Sequence, residues 1–228
     1  MLSSQWKDYL VTILISVLLA LFVRSFIMTA YKVPTGSMQP TLKAGDFIFS
    51  YRLAYGLQSP FSSANWSAKL PERGDLVVFS YPNQPETSYV KRVIGLPGDK
   101  IQIESGKLSL NDTPLEYELE VPTRPEDNPN PESFDIYIER DLGSFRRVIF
   151  KKSSAAENFG PLIVPPGEVF LLGDNRDASD DSRYWGTVPN DHVYGKVQFV
   201  WLSLDWQKRW GGDRYPTLRW NRVFSGVH

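Results

Sequence analysis

Gly74-Asp75-Leu76-Val77-Val78-Phe79-Ser80-Tyr81 is the stretch that decides the fold. A Gly-Asp turn pair opens a short run of β-branched and aromatic residues, the composition of a strand. The same arrangement recurs on both sides. Gly45-Asp46 precedes Phe47-Ile48-Phe49, and Gly98-Asp99 precedes Lys100-Ile101-Gln102-Ile103. A further run from Glu168 to Leu172 ends at Gly173-Asp174, and another extends from His192 to Leu204. Beyond Tyr31 helical periodicity is hard to find. The chain therefore reads as mainly β, with antiparallel sheets in a barrel-like domain.

Between residues 104 and 167 the character changes. Val121 to Pro131 is proline-rich, and Ser153 to Asn158 is small and polar. This stretch reads as an inserted β cap, 104–167, inside a domain made of 33–103 plus 168–228. Residues 53–71 lack a core pattern yet carry Phe61 and Trp66, which fits an exposed hairpin or ribbon.

The N-terminal segment is different in kind. No charge interrupts Tyr9 to Val23, and apolar character resumes after Arg24. The uncharged run is shorter than the roughly 20 residues that span hydrocarbon. It becomes adequate if Arg24 lies near one end and snorkels to the headgroups. A buried soluble helix would be unusually apolar on every face. A cleaved secretory signal fits the charged start and apolar centre, but Met28-Thr29-Ala30 is a poor cleavage site. Residues 1–32 read as an uncleaved anchor with one transmembrane helix. Lys7 and Asp8 on one flank face Arg24 and Lys32 on the other, so charge alone does not orient it.

Composition removes several classes of chemistry. A formal net charge of −1 offers no electrostatic argument for nucleic acid. The absence of cysteine excludes thiol catalysis, disulfides and cysteine-based zinc sites. Any histidine mechanism would run through His192, because the other histidine, His228, is the last residue. Seven Trp, eleven Tyr and thirteen Phe are too many for so small a core, which places some at an interface.

Three segments can carry chemistry. In Pro34-Thr35-Gly36-Ser37-Met38-Gln39-Pro40, the prolines and glycine shape a tight turn that presents the Ser37 hydroxyl. Alone, it is equally a common Gly-Ser turn. In Tyr89-Val90-Lys91-Arg92-Val93-Ile94, strand alternation sets Lys91 on one face with Tyr89 and Val93. Burial among them would lower its pKa by desolvation. The competing reading is a lysine snorkelling from a sheet edge. The loop from Gly173 to Gly186 holds four aspartates, whose spacing does not match a calcium loop. Arg176 and Arg183, interleaved with them, argue instead for a self-neutralising ion-pair network.

In order along the chain these segments resemble the type I signal peptidase family: PTGSMQPTL, GDFIF, RGDLVVF with YVKRVIGLPGD, then GDNRDASDDSRYWG. The resemblance covers most of the chain outside 104–167. It implies a membrane-bound serine endopeptidase with Ser37 as nucleophile and Lys91 as neutral general base, and no cofactor or metal. It further implies that the Thr35 hydroxyl and Ser37 N–H stabilise the oxyanion. Many members carry serine where this chain has Thr35. By the same resemblance Ser179 orients the Lys91 amine, while Asp181 and Arg183 brace the loop as an ion pair. The implied partners are signal-peptide-bearing preproteins, small at positions −1 and −3, and the lipid bilayer. The implied setting is the bacterial inner membrane, single-pass, with the catalytic domain on the outer side. Trp201, Trp206, Trp210 and Trp220, interleaved with Lys208, Arg209, Arg219 and Arg222, are candidates for the lipid-facing surface.

Overall fold

The computed structural model describes residues 4–56, 69–121, 132–141, 144–152, 157–210 and 215–227. Phe61, Trp66, His228 and most of the proline-rich stretch lie outside these residues, as do the side chains of Lys208, Arg209 and Trp210. The apolar N-terminal run forms helix α1 (Ser4–Phe22), continued by a π-turn over Val23–Ile27. No helix among the described residues is long and apolar enough to cross a membrane.

After that the described residues form mainly strands and turns, with only short helical segments such as Ser182–Trp185. Strands β1 (Met28–Lys32), β2 (Asp46–Tyr51), β3 (Leu76–Tyr81) and β4 (Gln84–Gly95) come first. Next are β5 (Lys100–Glu104), β6 (Lys107–Leu110) and β7 (Thr113–Pro114). The residues around the proline-rich stretch give β8 (Glu116–Glu120), β9 (Phe134–Asp141) and β10 (Ser144–Lys151). The return path is β11 (Phe159–Ile163), β12 (Glu168–Leu172), β13 (Val188–Pro189) and β14 (Val193–Trp210). Two short strands, β15 (Tyr215–Leu218) and β16 (Ser225–Gly226), end the chain's regular structure, both pairing with β14.

The main sheet runs β1-β2-β14-β3-β4-β12-β13, antiparallel at each pairing. The antiparallel, mainly β expectation holds. The barrel-like closure does not appear among the described residues, because the path ends at β1 and β13 without joining them. Those terminal strands, of five and two residues, offer little backbone for pairing across a seam.

The opening stretch sits at the centre of this sheet and is buried on both faces. Leu76 and Val78 pack with Met38, Leu42, Ile48, Val197 and Val200, whereas Val77 and Phe79 pack with Val93, Val169 and Leu171. A strand covered on two sides reads as a nearly continuous apolar run, as this one does. β2 alternates instead. Phe47 and Phe49 leave the core to meet Trp201 and Phe199 at ring separations of 5.8 and 5.4 Å.

β11-β5-β6-β7 form a four-stranded sheet whose core (Ile101, Ile103, Leu108, Leu110) is shared with Ile94, Phe170 and Leu172 of the main sheet. β10-β9-β8 make a further, three-stranded sheet.

Candidate active site

Ser37 sits on a turn pinned at both ends. The Val33 N–H donates to the Asp46 carbonyl at 2.8 Å and the Gly45 N–H to the Val33 carbonyl at 2.9 Å. On the far side Leu42 N–H reaches the Met38 carbonyl at 2.8 Å, and both side chains are sunk into the core. A half-exposed serine between two buried anchors is held in place without being covered.

Lys91 comes from the middle of β4, opposite Val77 of β3. Alternation puts it on the face of Tyr89 and Val93, as the pattern predicts, and only 3% of its surface is exposed. Its Nζ donates to Ser37 Oγ at 2.8 Å. Burial is the main cause that lowers its pKa, to about 8 from the ordinary lysine value. Asp181, Asp180 and Asp174 oppose that shift, and Arg183 adds to it. Burial therefore brings its deprotonation down toward the range where a base is useful.

The loop after β12 encloses this pair. The Asn175 N–H donates to the Ser37 carbonyl at 3.0 Å, and the Asn175 side-chain amide to the Gly36 carbonyl at 3.1 Å. Asp174 is clamped from three sides. Arg92 Nε meets Oδ1 at 2.8 Å and its terminal nitrogen meets Oδ2 at 2.7 Å, while the Thr41 hydroxyl donates to Oδ2 at 2.5 Å. Arg92 follows Lys91 on the opposite face of β4, so one dipeptide supplies the amine and the cation that ties the loop to the serine turn. The sequence reading passed over Asn175, Asp174 and Arg92. Arg92's place beside Lys91 in an alternating strand was the available signal.

Asp181 and Arg183 form an ion pair, with Nε to Oδ1 at 2.8 Å. Asp181 also caps the short helix Ser182–Trp185 and accepts the Gly173 N–H at 3.0 Å. Arg183 reaches on to Glu157 at 2.9 Å. Thr35 Oγ1 lies 3.4 Å from Ser37 Oγ, close enough to share its surroundings. Ser179 departs from its expected role. Its Oγ is buried without a hydrogen-bond partner and makes no bond to Lys91. Gly173 lies close beside it: a Cβ there would fall 2.1 Å from Ser179 Oγ and 2.6 Å from the Ser37 carbonyl. His192 Nδ1 is likewise buried without a partner, and Ser37 Oγ takes its bonds from Lys91 and Thr35.

The expected self-neutralising loop is only half present. Arg176 leaves the loop acids and pairs with Glu139 of β9, a fully buried carboxylate that also holds Arg146 and the Tyr117 hydroxyl. These two guanidinium groups keep the Glu139 carboxyl down at about 2 against the desolvation that would raise it. Backbone bonds run the same way: the Ile149 N–H of β10 donates to the Asp174 carbonyl at 2.8 Å.

A cavity of about 310 Å³ opens at Ser37 and Lys91, lined on the apolar side by Tyr31, Val33, Met38, Val78 and Val90. The C-terminal aromatics divide. Trp201 is half-buried against Phe47 and Phe49, while Trp206, Trp220 and Phe224 stand exposed, Trp220 at 77%. Arg219 and Arg222 are anchored to Asp46.

The family model described as signal peptidase, peptidase S26, matches residues 6–202. The chain is 38% identical to Signal peptidase I of Pseudomonas fluorescens, over 81% of this chain and 68% of that protein. To Signal peptidase I of Rickettsia typhi it is 38% identical, over 86% and 79%. To that of Rickettsia felis it is 37% identical, over 98% and 92%.

Proposed function

The chain belongs to the signal peptidase family, peptidase S26, and from that premise we propose that Ser37 and Lys91 carry its chemistry. It is a serine endopeptidase that removes signal peptides. Neutral Lys91 takes the Ser37 proton as Oγ bonds to the scissile carbonyl carbon. The oxyanion is received by the Ser37 N–H and the Thr35 hydroxyl, each contributing about 3 kcal/mol. Collapse breaks the C–N bond, and the Lys91 ammonium gives its proton to the departing amine of the mature protein. Lys91 then deprotonates a water that hydrolyses the acyl-serine, restoring both groups. Asp181 and Arg183 keep the loop shaped around the pair. The 2.8 Å contact between a buried amine and the serine hydroxyl carries this reading. The apolar cavity beside it suits small side chains at −1 and −3.

The catalytic unit is 33–103 plus 168–228, with 104–167 inserted, and α1 with the π-turn after it is the single-pass anchor. Leu10, Val11, Ile13, Ile15, Leu18 and Leu19 are exposed around the helix, as lipid contact requires. Arg24 lies in the π-turn just after it, where it can reach headgroups. The setting is the bacterial inner membrane with the catalytic unit outside. The deciding experiment incubates detergent-solubilised protein with a preprotein. Wild type releases the mature chain, whereas Ser37→Ala and Lys91→Met, both folded by circular dichroism, do not. Cleavage by Lys91→Met at the wild-type rate overturns the assignment.

A further inference from the structure

Of the four aspartates in the loop from Gly173 to Gly186, three are committed to holding the loop. Asp174 is clamped by Arg92 and Thr41, Asp177 accepts the Lys151 N–H at 2.7 Å, and Asp181 is bound to Arg183 and Gly173. Asp180 differs. It is exposed, it forms no ion pair among the described residues, and it lines the same cavity as Ser37 and Lys91. Its Oδ2 accepts the Tyr81 hydroxyl at 3.1 Å. Tyr81 in turn lies 4.5 Å from Tyr89 between ring centroids, and Tyr89 is a wall of that cavity. The carboxylate is thus oriented by a stacked aromatic pair at the edge of the cleft.

The charge balance of the cavity makes this position consequential. Among its described lining residues the charged groups are Lys32, Lys91 and Asp180. Lys91 is buried and bonded to Ser37, and Lys32 is drawn over the Trp206 ring at 5.2 Å. Asp180 is the one carboxylate in the cavity wall, and its field reaches Lys91, where it favours the ammonium. The rest of the lining is largely apolar or hydroxyl-bearing, so it offers a substrate little charge discrimination of its own.

We propose that Asp180 is a specificity-determining residue that selects substrates carrying a lysine or arginine beside the scissile bond. An extended substrate turns alternate side chains to opposite sides. If the small side chains at −1 and −3 enter the apolar part, the side chain at −2 is directed elsewhere and, with +1 and +2, is within the class Asp180 can meet. A cation there pairs with a carboxylate already aimed by Tyr81. An acidic residue at the same place is repelled. The effect rests on the assignment of Ser37 and Lys91 made above.

The test uses the detergent-solubilised full chain and quenched peptides with alanine at −3 and −1. Lysine, norleucine or glutamate is placed in turn at −2, +1 and +2. Wild type prefers lysine to norleucine at one or more of these positions by up to about fivefold in kcat/KM, the scale of a single exposed ion pair. The preference falls as salt is raised from 0.05 to ~0.5 M, since screening shortens the reach of the charge. In Asp180→Asn the lysine-to-norleucine ratio falls to about one. Taking a ratio within each variant cancels any change in Lys91 or in folding. No lysine preference at any position, or one that persists in Asp180→Asn or at high salt, overturns the proposal. If wild type cuts none of the peptides, or Ser37→Ala cuts them equally, the assignment of the active site fails instead.

Discussion

The backbone N–H of Asn175 donates to the carbonyl oxygen of Ser37 at 3.0 Å, joining the peptide of the proposed nucleophile to a loop far along the chain. Two residues earlier in that loop, Gly173 fits between Ser179 and the Ser37 carbonyl with no room for a side chain. The serine is therefore placed from behind by backbone as well as by its turn. Reacting groups held this way gain from orientation, and a shift of roughly 1 Å costs about a hundredfold in rate.

Gly173→Ala follows directly. The added Cβ meets backbone at 2.6 Å, so the loop or Ser37 must move. Preprotein cleavage falls by about a hundredfold or more, chiefly in kcat. Retention of wild-type kcat in single-turnover assays would show that the loop yields without disturbing the serine.

The pH profile reports on Lys91. Its pKa of about 8 means the working base is present above that value and is lost as pH falls through it. The acid limb of kcat/KM therefore centres near 8, dropping about tenfold per unit below it. Lys91→Arg keeps a cation whose pKa lies above roughly 12, and it is inactive throughout the accessible range. An acid limb near 10 would show that the amine is not desolvated in solution.

Glu139 links β9 to the catalytic loop through Arg176 and is fully buried. Removing it strands two buried cations, so Glu139→Leu destabilises the protein by about 3–5 kcal/mol. Its carboxyl is depressed in the fold, which sets the sign of the acid response. The ionised form stabilises the protein fully above the unfolded value near 4.5, and this is lost as pH falls toward about 2. Thermal melts between those limits show a falling midpoint in wild type. The Glu139→Leu variant, if it folds, lacks that part of the slope.

Trp220 and Phe224 are exposed at 77% and 75%, on the segment that follows β15. Aromatic side chains so placed partition favourably to headgroups. Replacing both with alanine lowers cleavage of a liposome-embedded preprotein by about two- to tenfold. A soluble peptide is cut as before. Equal losses on both substrates would mean that the pair supports the fold rather than the lipid contact.

Some of this was legible in the residues. Gly-Asp pairs ahead of β-branched runs marked β2, β3 and β5, because turn chemistry and strand composition are both local. Alternation around Lys91 placed Tyr89 and Val93 beside it for the same reason. The pairing of Arg176 was not legible. Two arginines among four aspartates look self-sufficient in sequence, yet the buried Arg176 guanidinium takes Glu139, a fully buried carboxylate 37 positions away. The open edges of the sheet also escaped, since strand order depends on pairings no single run contains.

The residue order alone determined that a serine on a stiff turn, a lysine in an apolar strand and an acidic loop would be present, and which family they resemble. These are consequences of neighbours within a few bonds. Only the tertiary structure decided that the amine is dry, that it meets the hydroxyl 54 positions away, and which acids hold the loop and which faces the cleft. Desolvation and ion pairing depend on what packs around a charge in space, and chain neighbours do not specify it.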